Sequence, residues 1–310
     1  MMNGFRYLIL ALIVSAFVSG VSQAEQIILG AATGDQFAGE SPSSLYRINP
    51  ANGDTILVGP IGFNGVTGLA LLPDGRLVGS ANADTDSKIA VLIEIDMDTG
   101  AGSLIGTLGD DNTPGECGRM PDLALNSASG QLYGYADACN GNIEGLFMIN
   151  PDNADATSIG PSGFNGGGNG LAIRPGTSDI FATPIDASGL VTLDPATGAG
   201  TVIPASVGNV PNRINAMDFN PETGVLYGSF MDVNNTVGLG AANYLVTIST
   251  SDGSTQLVGQ TVPGLDAIVF VEGTIPVTSI PTLSEWGLIA MAGLLGVICL
   301  LVIRRKKAAA

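Results

Sequence analysis

The chain contains no histidine. That excludes Ser-His-Asp triads, Cys-His pairs and histidine-ligated metals, and leaves only carboxylate chemistry or cation-assisted catalysis. Aromatic residues make up 5% of the sequence, with a single tryptophan, which is little for platforms on which sugar rings could stack. Positive charge is also scarce. Between Glu25 and Ser284 only Arg47, Arg76, Lys88, Arg119, Arg174 and Arg213 stand against 27 acidic residues. Such a surface repels nucleic acid and anionic lipid, stays soluble, and attracts cations.

What the chain does have is glycine, 44 of 310 residues, and a repeated hairpin of the form apolar–x–apolar–Asp/Asn–Pro–x–x–Gly. It reads Leu45-Tyr46-Arg47-Ile48-Asn49-Pro50-Ala51-Asn52-Gly53, then Leu92-Ile93-Glu94-Ile95-Asp96-Met97-Asp98-Thr99-Gly100. It returns as Phe147-Met148-Ile149-Asn150-Pro151, as Leu190-Val191-Thr192-Leu193-Asp194-Pro195-Ala196-Thr197-Gly198, and as Leu245-Val246-Thr247-Ile248-Ser249 running into Ser251-Asp252-Gly253. The marked polar residues are 47, 54, 44 and 55 positions apart. A supersecondary unit at that period, with four strands per unit, predicts an all-β propeller.

The other strands of each unit align as well. Thr67-Gly68-Leu69-Ala70-Leu71, Pro121-Asp122-Leu123-Ala124-Leu125, Asn169-Gly170-Leu171-Ala172-Ile173 and Asn215-Ala216-Met217-Asp218-Phe219 read as inner strands, each turning into a second strand. The fourth strand is β-branched and stops at glycine, as in Thr55 to Gly59 and Thr255 to Gly259. A linker, Gly59-Pro60-Ile61-Gly62-Phe63-Asn64-Gly65, recurs as Gly160-Pro161-Ser162-Gly163-Phe164-Asn165-Gly166. The first unit lacks an inner strand, and Leu265 to Phe270 at the far end supplies one. Closure through that strand removes open sheet edges and predicts five blades.

Both ends carry an address. Arg6, the apolar run Tyr7–Val18 and the small residues of Ser22-Gln23-Ala24 predict a signal peptide over 1–24, followed by a propeller ectodomain over 25–271 and a linker over 272–279. In an exported chain disulfides persist. Of three cysteines, Cys299 lies in an apolar tail, leaving Cys117 and Cys139 as the one exported pair. The alternatives are two free thiols or a metal site, and the latter lacks its usual histidine partners. A disulfide closing about twenty residues, worth roughly 3 kcal/mol, is expected.

The segment 280–310 has three parts. Ile280-Pro281-Thr282-Leu283-Ser284-Glu285-Trp286-Gly287 comes first, then 17 uncharged residues from Gly287 to Ile303, then Arg304-Arg305-Lys306-Lys307. Read as a transmembrane helix, 287–303 spans about 25 Å, the short end of a membrane crossing. The basic cluster holds that end in the cytoplasm, and Trp286 sits where an interfacial anchor belongs. The arrangement resembles the IPTL variety of PEP-CTERM-type sorting signals, handled by exosortases in Gram-negative bacteria. The resemblance rests on Ile280, Pro281, Thr282, Leu283, Glu285, Trp286 and Gly287 with the helix and basic ending. It implies an exosortase as partner, membrane residence through the helix before processing, an inner-membrane intermediate, and delivery to the cell surface or extracellular matrix. A plain C-terminal anchor is the alternative.

Candidate chemistry gathers where propellers bind ligands, at the mouth of the central channel. Thr67, Asp122, Asn169, Asn215 and Asp266 start the inner strands, and Arg119 and Arg213 precede two of them at one offset. Arg119, Asp122, Asn169, Arg213, Asn215 and Asp266 could together clamp a carboxylate or sugar hydroxyls. The alternative is that the arginines pair with neighbouring aspartates and hold loops in place. Asn82-x-Asp84-x-Asp86 has the alternating oxygens of a calcium loop, but lacks the glycine after the third ligand, and Glu94 falls one place late. A solvated loop fits it better, so no cofactor is expected and Ca2+ is the one ion considered. Two classes survive: a surface or matrix binding module without chemistry, which the missing histidine favours, and an exported carboxylate- or Ca2+-dependent lyase or hydrolase with its site at the channel mouth.

Overall fold

In each of the five hairpin copies the chain folds back at a polar residue whose carbonyl accepts the N–H four residues on. Asn49 accepts from Gly53, Asp96 from Gly100, Asn150 from Ala154, Asp194 from Gly198 and Ser249 from Gly253, all at 2.8 to 2.9 Å. The donor residue sits at a φ of 79, 82, 66, 76 and 67° respectively. Glycine adopts such angles without steric cost, and Ala154 is the only other residue type to do so among the described residues. Side chains brace the turn. Asn49 Oδ1 accepts the Ala51 N–H at 2.8 Å, Asp96 Oδ1 that of Thr99 at 2.8 Å, and Asp194 Oδ1 that of Ala196 at 2.7 Å. The Asp/Asn of the repeat is therefore a local turn former.

The computed structural model describes residues 25–33, 41–82, 90–108, 120–139, 143–164, 168–184, 187, 189–204, 214–232 and 242–273. The chain divides after Thr274, and every described residue belongs to the first unit. The strands are β1 (Glu25–Ala32), β2 (Pro42–Ile48), β3 (Thr55–Leu71), β4 (Leu77–Asn82), β5 (Ala90–Ile95) and β6 (Gly102–Thr107). Then come β7 (Asp122–Asn126), β8 (Gln131–Cys139), β9 (Ile143–Ile149), β10 (Ala156–Pro161), β11 (Gly168–Ile173), β12 (Ile180–Pro184), β13 (Val191–Leu193) and β14 (Gly200–Val202). The last are β15 (Ile214–Phe219), β16 (Leu226–Asp232), β17 (Ala242–Ile248), β18 (Thr255–Gln260) and β19 (Leu265–Gly273). No helix occurs among the described residues, and the expected signal peptide and the helix 287–303 lie outside them.

Three sheets are four-stranded and antiparallel: β7 to β10, β11 to β14, and β15 to β18. A fourth runs β19-β1-β2-β3-β4-β5-β6, with Thr55–Pro60 of β3 paired to β2 and Gly68–Leu71 paired to β4. The strand from the far end of the chain joins the first, Glu25 lying opposite Gly273 and Gly30 opposite Ile268. β3, β7, β11, β15 and β19 each pack against the next, and β19 packs back against β3. Sheets arranged radially about such a cycle of inner strands form a β-propeller.

Apolar side chains fill the space between neighbouring sheets, as where Val78 and Leu92 meet Leu123, Leu132 and Phe147. The inner strands carry Ala70, Ala124 and Ala172 where the sheets converge. Hydroxyls then tie three of the inner strands, β7, β15 and β19, to the preceding sheet. Ser80 Oγ donates to Met120 O at 2.7 Å, Thr183 Oγ1 to Ile214 O at 3.1 Å, and Ser229 Oγ to Leu265 O at 2.7 Å. At the periphery, the outermost pairings slip by one residue just before the terminal glycine, at Val58, Ile105, Ile159 and Val258. Such bulges twist an exposed edge away from further pairing. The glycine stop has its own cause. A Cβ on Gly59 would meet the Thr99 carbonyl oxygen, on Gly106 the Asn153 oxygen at 2.7 Å, on Gly160 the Thr197 oxygen, and on Gly259 the Asn52 oxygen. Four outer strands thus lie on the hairpin turn of the next unit, and Gly259 against Asn52 brings the last unit onto the first.

Candidate functional site

The inner strands do not pair regularly where they begin. Between β11 and β12 the register jumps from Gly168–Pro184 to Gly170–Thr183, leaving Asn169 unpaired. Between β15 and β16 it jumps from Ile214–Phe230 to Ala216–Ser229, leaving Asn215. Between β1 and β19 the same happens at Asp266, and Thr67 lies in a longer irregular stretch before Gly68. Bulges re-aim side chains and recur beside functional sites. Thr67, Asn169, Asn215 and Asp266 therefore occupy one kind of position, at the end where inner strands start. Asn215 Nδ2 donates to Asp266 Oδ1 at 2.8 Å, linking two of them directly. Thr67 Oγ1 instead reaches the Met120 carbonyl at 3.3 Å.

Asp122 stands apart. It pairs in register with Tyr135, and the strand shows no bulge there. Matching Leu123 to Leu69, Leu171 and Met217 through their glycine or alanine partners puts Asp122 level with Gly68 and Gly170, one residue deeper. Its carboxyl is wholly buried, with Oδ1 accepting the Leu123 N–H and Oδ2 the Leu171 N–H, each at 2.8 Å. Burial pushes its pKa well above the ordinary carboxylate range, against the opposing pull of those amides. It fastens β7 to β11.

Asp218, which the sequence did not mark out, does the same two junctions on, between β15 and β19. It holds the place of Ala70, Ala124 and Ala172, and the substitution of a carboxylate for a recurrent alanine is the signal that could have marked it. Oδ1 accepts the Phe219 N–H at 2.8 Å, and Oδ2 accepts the Phe270 N–H of β19 at 2.7 Å. Desolvation raises its pKa to about 7, and that of Asp266 to about 6, the Asn215 bond opposing in the second case. Another buried polar group escaped the sequence: the Tyr135 hydroxyl donates to Glu144 Oε1 at 2.7 Å and lies 2.7 Å from Ser162 Oγ.

Arg119, Arg213, Cys117, Asp84, Asp86 and the motif residues 280–287 lie outside the described residues, as do the side chains of Asn169 and Cys139. Asn82 ends β4 opposite Asn64 and Ala90. Among the described residues, no three acidic or cysteine side chains come together as a metal would require. The described arginines are engaged elsewhere: Arg76 with Asp74 and Asp152 at 2.8 and 2.7 Å, and Arg174 with Asp179 at 3.4 Å while lying over the rings of Phe181 and Phe219.

Comparison with known proteins bears on the tail and on the fold. Residues 278–305 match the IPTL-CTERM motif. The segment is an exosortase-type sorting signal, and it implies an exported, cell-envelope-associated protein with an exosortase as processing partner. No curated protein matches the chain. Among solved structures it is similar to a chain of a nidogen/laminin complex, at 10% identity over 81% of this chain and 100% of that one, with a TM-score of 0.52. It is also similar to a gluconolactonase of Xanthomonas campestris, at 13% identity over 80% and 84% of the two chains and a TM-score of 0.47. An auxiliary nutrient binding protein of Bacteroides ovatus aligns at 13% over 81% and 50%, with a TM-score of 0.41. At these identities the likeness concerns the fold alone, and the fold is the β-propeller.

Proposed function

We propose that this chain is a five-bladed propeller displayed at the cell surface or in the extracellular matrix as a binding module, without catalysis of its own. The sorting motif at 278–305 carries the reading. The blade count is supported by the cyclic packing of β3, β7, β11, β15 and β19, and by β3 serving the two sheets it joins. A signal peptide over 1–24 exports the ectodomain 25–271, and the linker 272–279 leads to the sorting segment 280–310. In a Gram-negative host the helix 287–303 holds the precursor in the inner membrane with Arg304–Lys307 in the cytoplasm. An exosortase then removes it.

The ligand site of this reading is the start of the inner strands, where Asn169, Asn215 and Asp266 occupy bulges and Arg119, Asp122 and Arg213 are close in sequence. Amides and carboxyls there suit hydrogen bonding to a polar ligand. Sorting is the testable core. Proline restricts the preceding residue to extended conformations, so Pro281 keeps Ile280 out of a helix and presents the motif as a strand-like substrate. Changing Pro281 to Ala should block processing while leaving membrane insertion intact, because hydrophobic length and basic stop are unchanged. The measurement is the apparent mass and fractionation of both forms in the native host. Wild type that keeps its helix in the inner membrane would reduce 287–303 to an anchor.

A further inference from the structure

Three units repeat one contact where the third strand begins and the fourth has just ended. The Leu108 N–H donates to the Ala90 carbonyl at 2.9 Å, the Ser162 N–H to that of Glu144 at 3.3 Å, and the Thr261 N–H to that of Asn243 at 2.9 Å. Facing residues of an antiparallel pair turn their side chains to one face, with Cβ atoms about 5 Å apart. Ala90 and Leu108 are apolar and buried, so that pair needs nothing more. Glu144 and Ser162 are polar and buried, and a third group completes them: the Tyr135 hydroxyl donates to Glu144 Oε1 and lies 2.7 Å from Ser162 Oγ.

The unit β15 to β18 keeps the polar pair and lacks the third group. Leu132 faces Ile149 as Leu226 faces Ile248, so Ser229 stands where Tyr135 does. Its hydroxyl already donates to the Leu265 carbonyl at 2.7 Å. Asn243 Oδ1 accepts the Gly264 N–H at 2.9 Å, which fixes the amide with Nδ2 as its donor end. Asn243 Nδ2 and Thr261 Oγ1 have no partner among the described residues. Yet Asn243 is wholly buried and Thr261 is 7% exposed. A polar atom buried in that way costs as much as a lost hydrogen bond.

We propose that Asn243 and Thr261 form the binding site of a resident water molecule, which bridges them as the Tyr135 hydroxyl bridges Glu144 and Ser162. The chemistry of the two atoms selects the occupant. It must accept from an amide N–H and also meet a hydroxyl, which a cation cannot do. An anion would carry a full charge into the wall of a molecule whose net charge is already −17. An apolar group would leave both atoms unpaired. Burial of both residues limits the occupant to the size of water, for which two polar partners suffice. The site belongs to the seam of the ring. Asn243 receives both ends of the loop 261–264, the Thr261 N–H on its carbonyl and the Gly264 N–H on its side chain. The Gly264 carbonyl in turn accepts from Thr33, just past β1, at 3.1 Å. The water adds a further tie to the loop that opens β19 and delivers Asp266 to Asn215.

The test joins a crystal structure of the full-length chain in a neutral detergent, at a resolution that shows ordered water, with thermal melts of two variants. The expected density is one water oxygen about 2.7–3.2 Å from both Asn243 Nδ2 and Thr261 Oγ1. Thr261→Val keeps the shape of the side chain and removes the hydroxyl, so the sign of its effect is diagnostic. A bridged hydroxyl predicts a Tm lower by about 2–8 °C, whereas an unpaired one predicts a Tm unchanged or raised, because a buried orphan has been removed. Thr261→Ser retains the hydroxyl and should retain the water. No density between the two atoms, or a direct bond from either to another protein group, overturns the site. A Thr261→Val protein as stable as the parent overturns its role in the seam. If that variant does not fold, the density in the parent and in Thr261→Ser decides. The result does not depend on whether the tail is processed.

Discussion

Replacing Gly259 with alanine sets a methyl group against the Asn52 peptide, closer to its oxygen than Cβ atoms come in folded proteins and 2.7 Å from its carbonyl carbon. The sign of the outcome is informative because Gly259 has ordinary extended backbone angles. At such a position, with room available, Gly→Ala stabilises by about 0.4–1 kcal/mol by restricting the unfolded chain. The contact here is with backbone, which cannot swing aside, so the last outer strand must shift off the Asn49–Gly53 turn. Overpacking of that kind costs about 1–3 kcal/mol. The net expectation is a loss of about 1–2 kcal/mol, and for a chain of this size about 2–4 °C in Tm for each kcal/mol. Thermal melts followed by circular dichroism would read it. Gly75→Ala is the calibrator: Gly75 sits at a φ of 90° in open space, so only the left-handed penalty of about 1–2 kcal/mol applies. A Gly259→Ala protein as stable as the parent, or more so, would mean that the last sheet does not close onto the first as described.

Two further outcomes are expected. Ser229→Ala leaves the buried Leu265 carbonyl without its 2.7 Å donor, which should cost about 1–3 kcal/mol; an unchanged denaturant midpoint would show that the hydroxyl ties are dispensable. Non-reducing mass spectrometry of exported material should find Cys117 joined to Cys139, and alkylation of both without prior reduction would remove the bridge.

The repeat was legible because its causes are local. An Asp or Asn that accepts the N–H groups just after it, followed by glycine at positive φ, makes the same turn wherever it occurs, so Asn49, Asp96, Asn150 and Asp194 announced the hairpins and their period. The closing strand was legible for a related reason: an apolar run at Leu265–Phe270 and a first unit lacking an inner strand complement each other by pattern alone. The tail, too, carries its signal in contiguous residues. Tertiary structure decided the rest. Asp122 and Asp218 look like solvated carboxylates within apolar strands until Leu171 and Phe270, 49 and 52 residues away, bring their amides to them. The bulges that set Asn169, Asn215 and Asp266 apart depend on register with a partner strand. The glycine stop of Gly259 has its reason in Asn52, at the opposite end of the propeller chain. Local hydrogen bonds and periodicity are properties of a segment, whereas burial, register and steric closeness are properties of which segments meet.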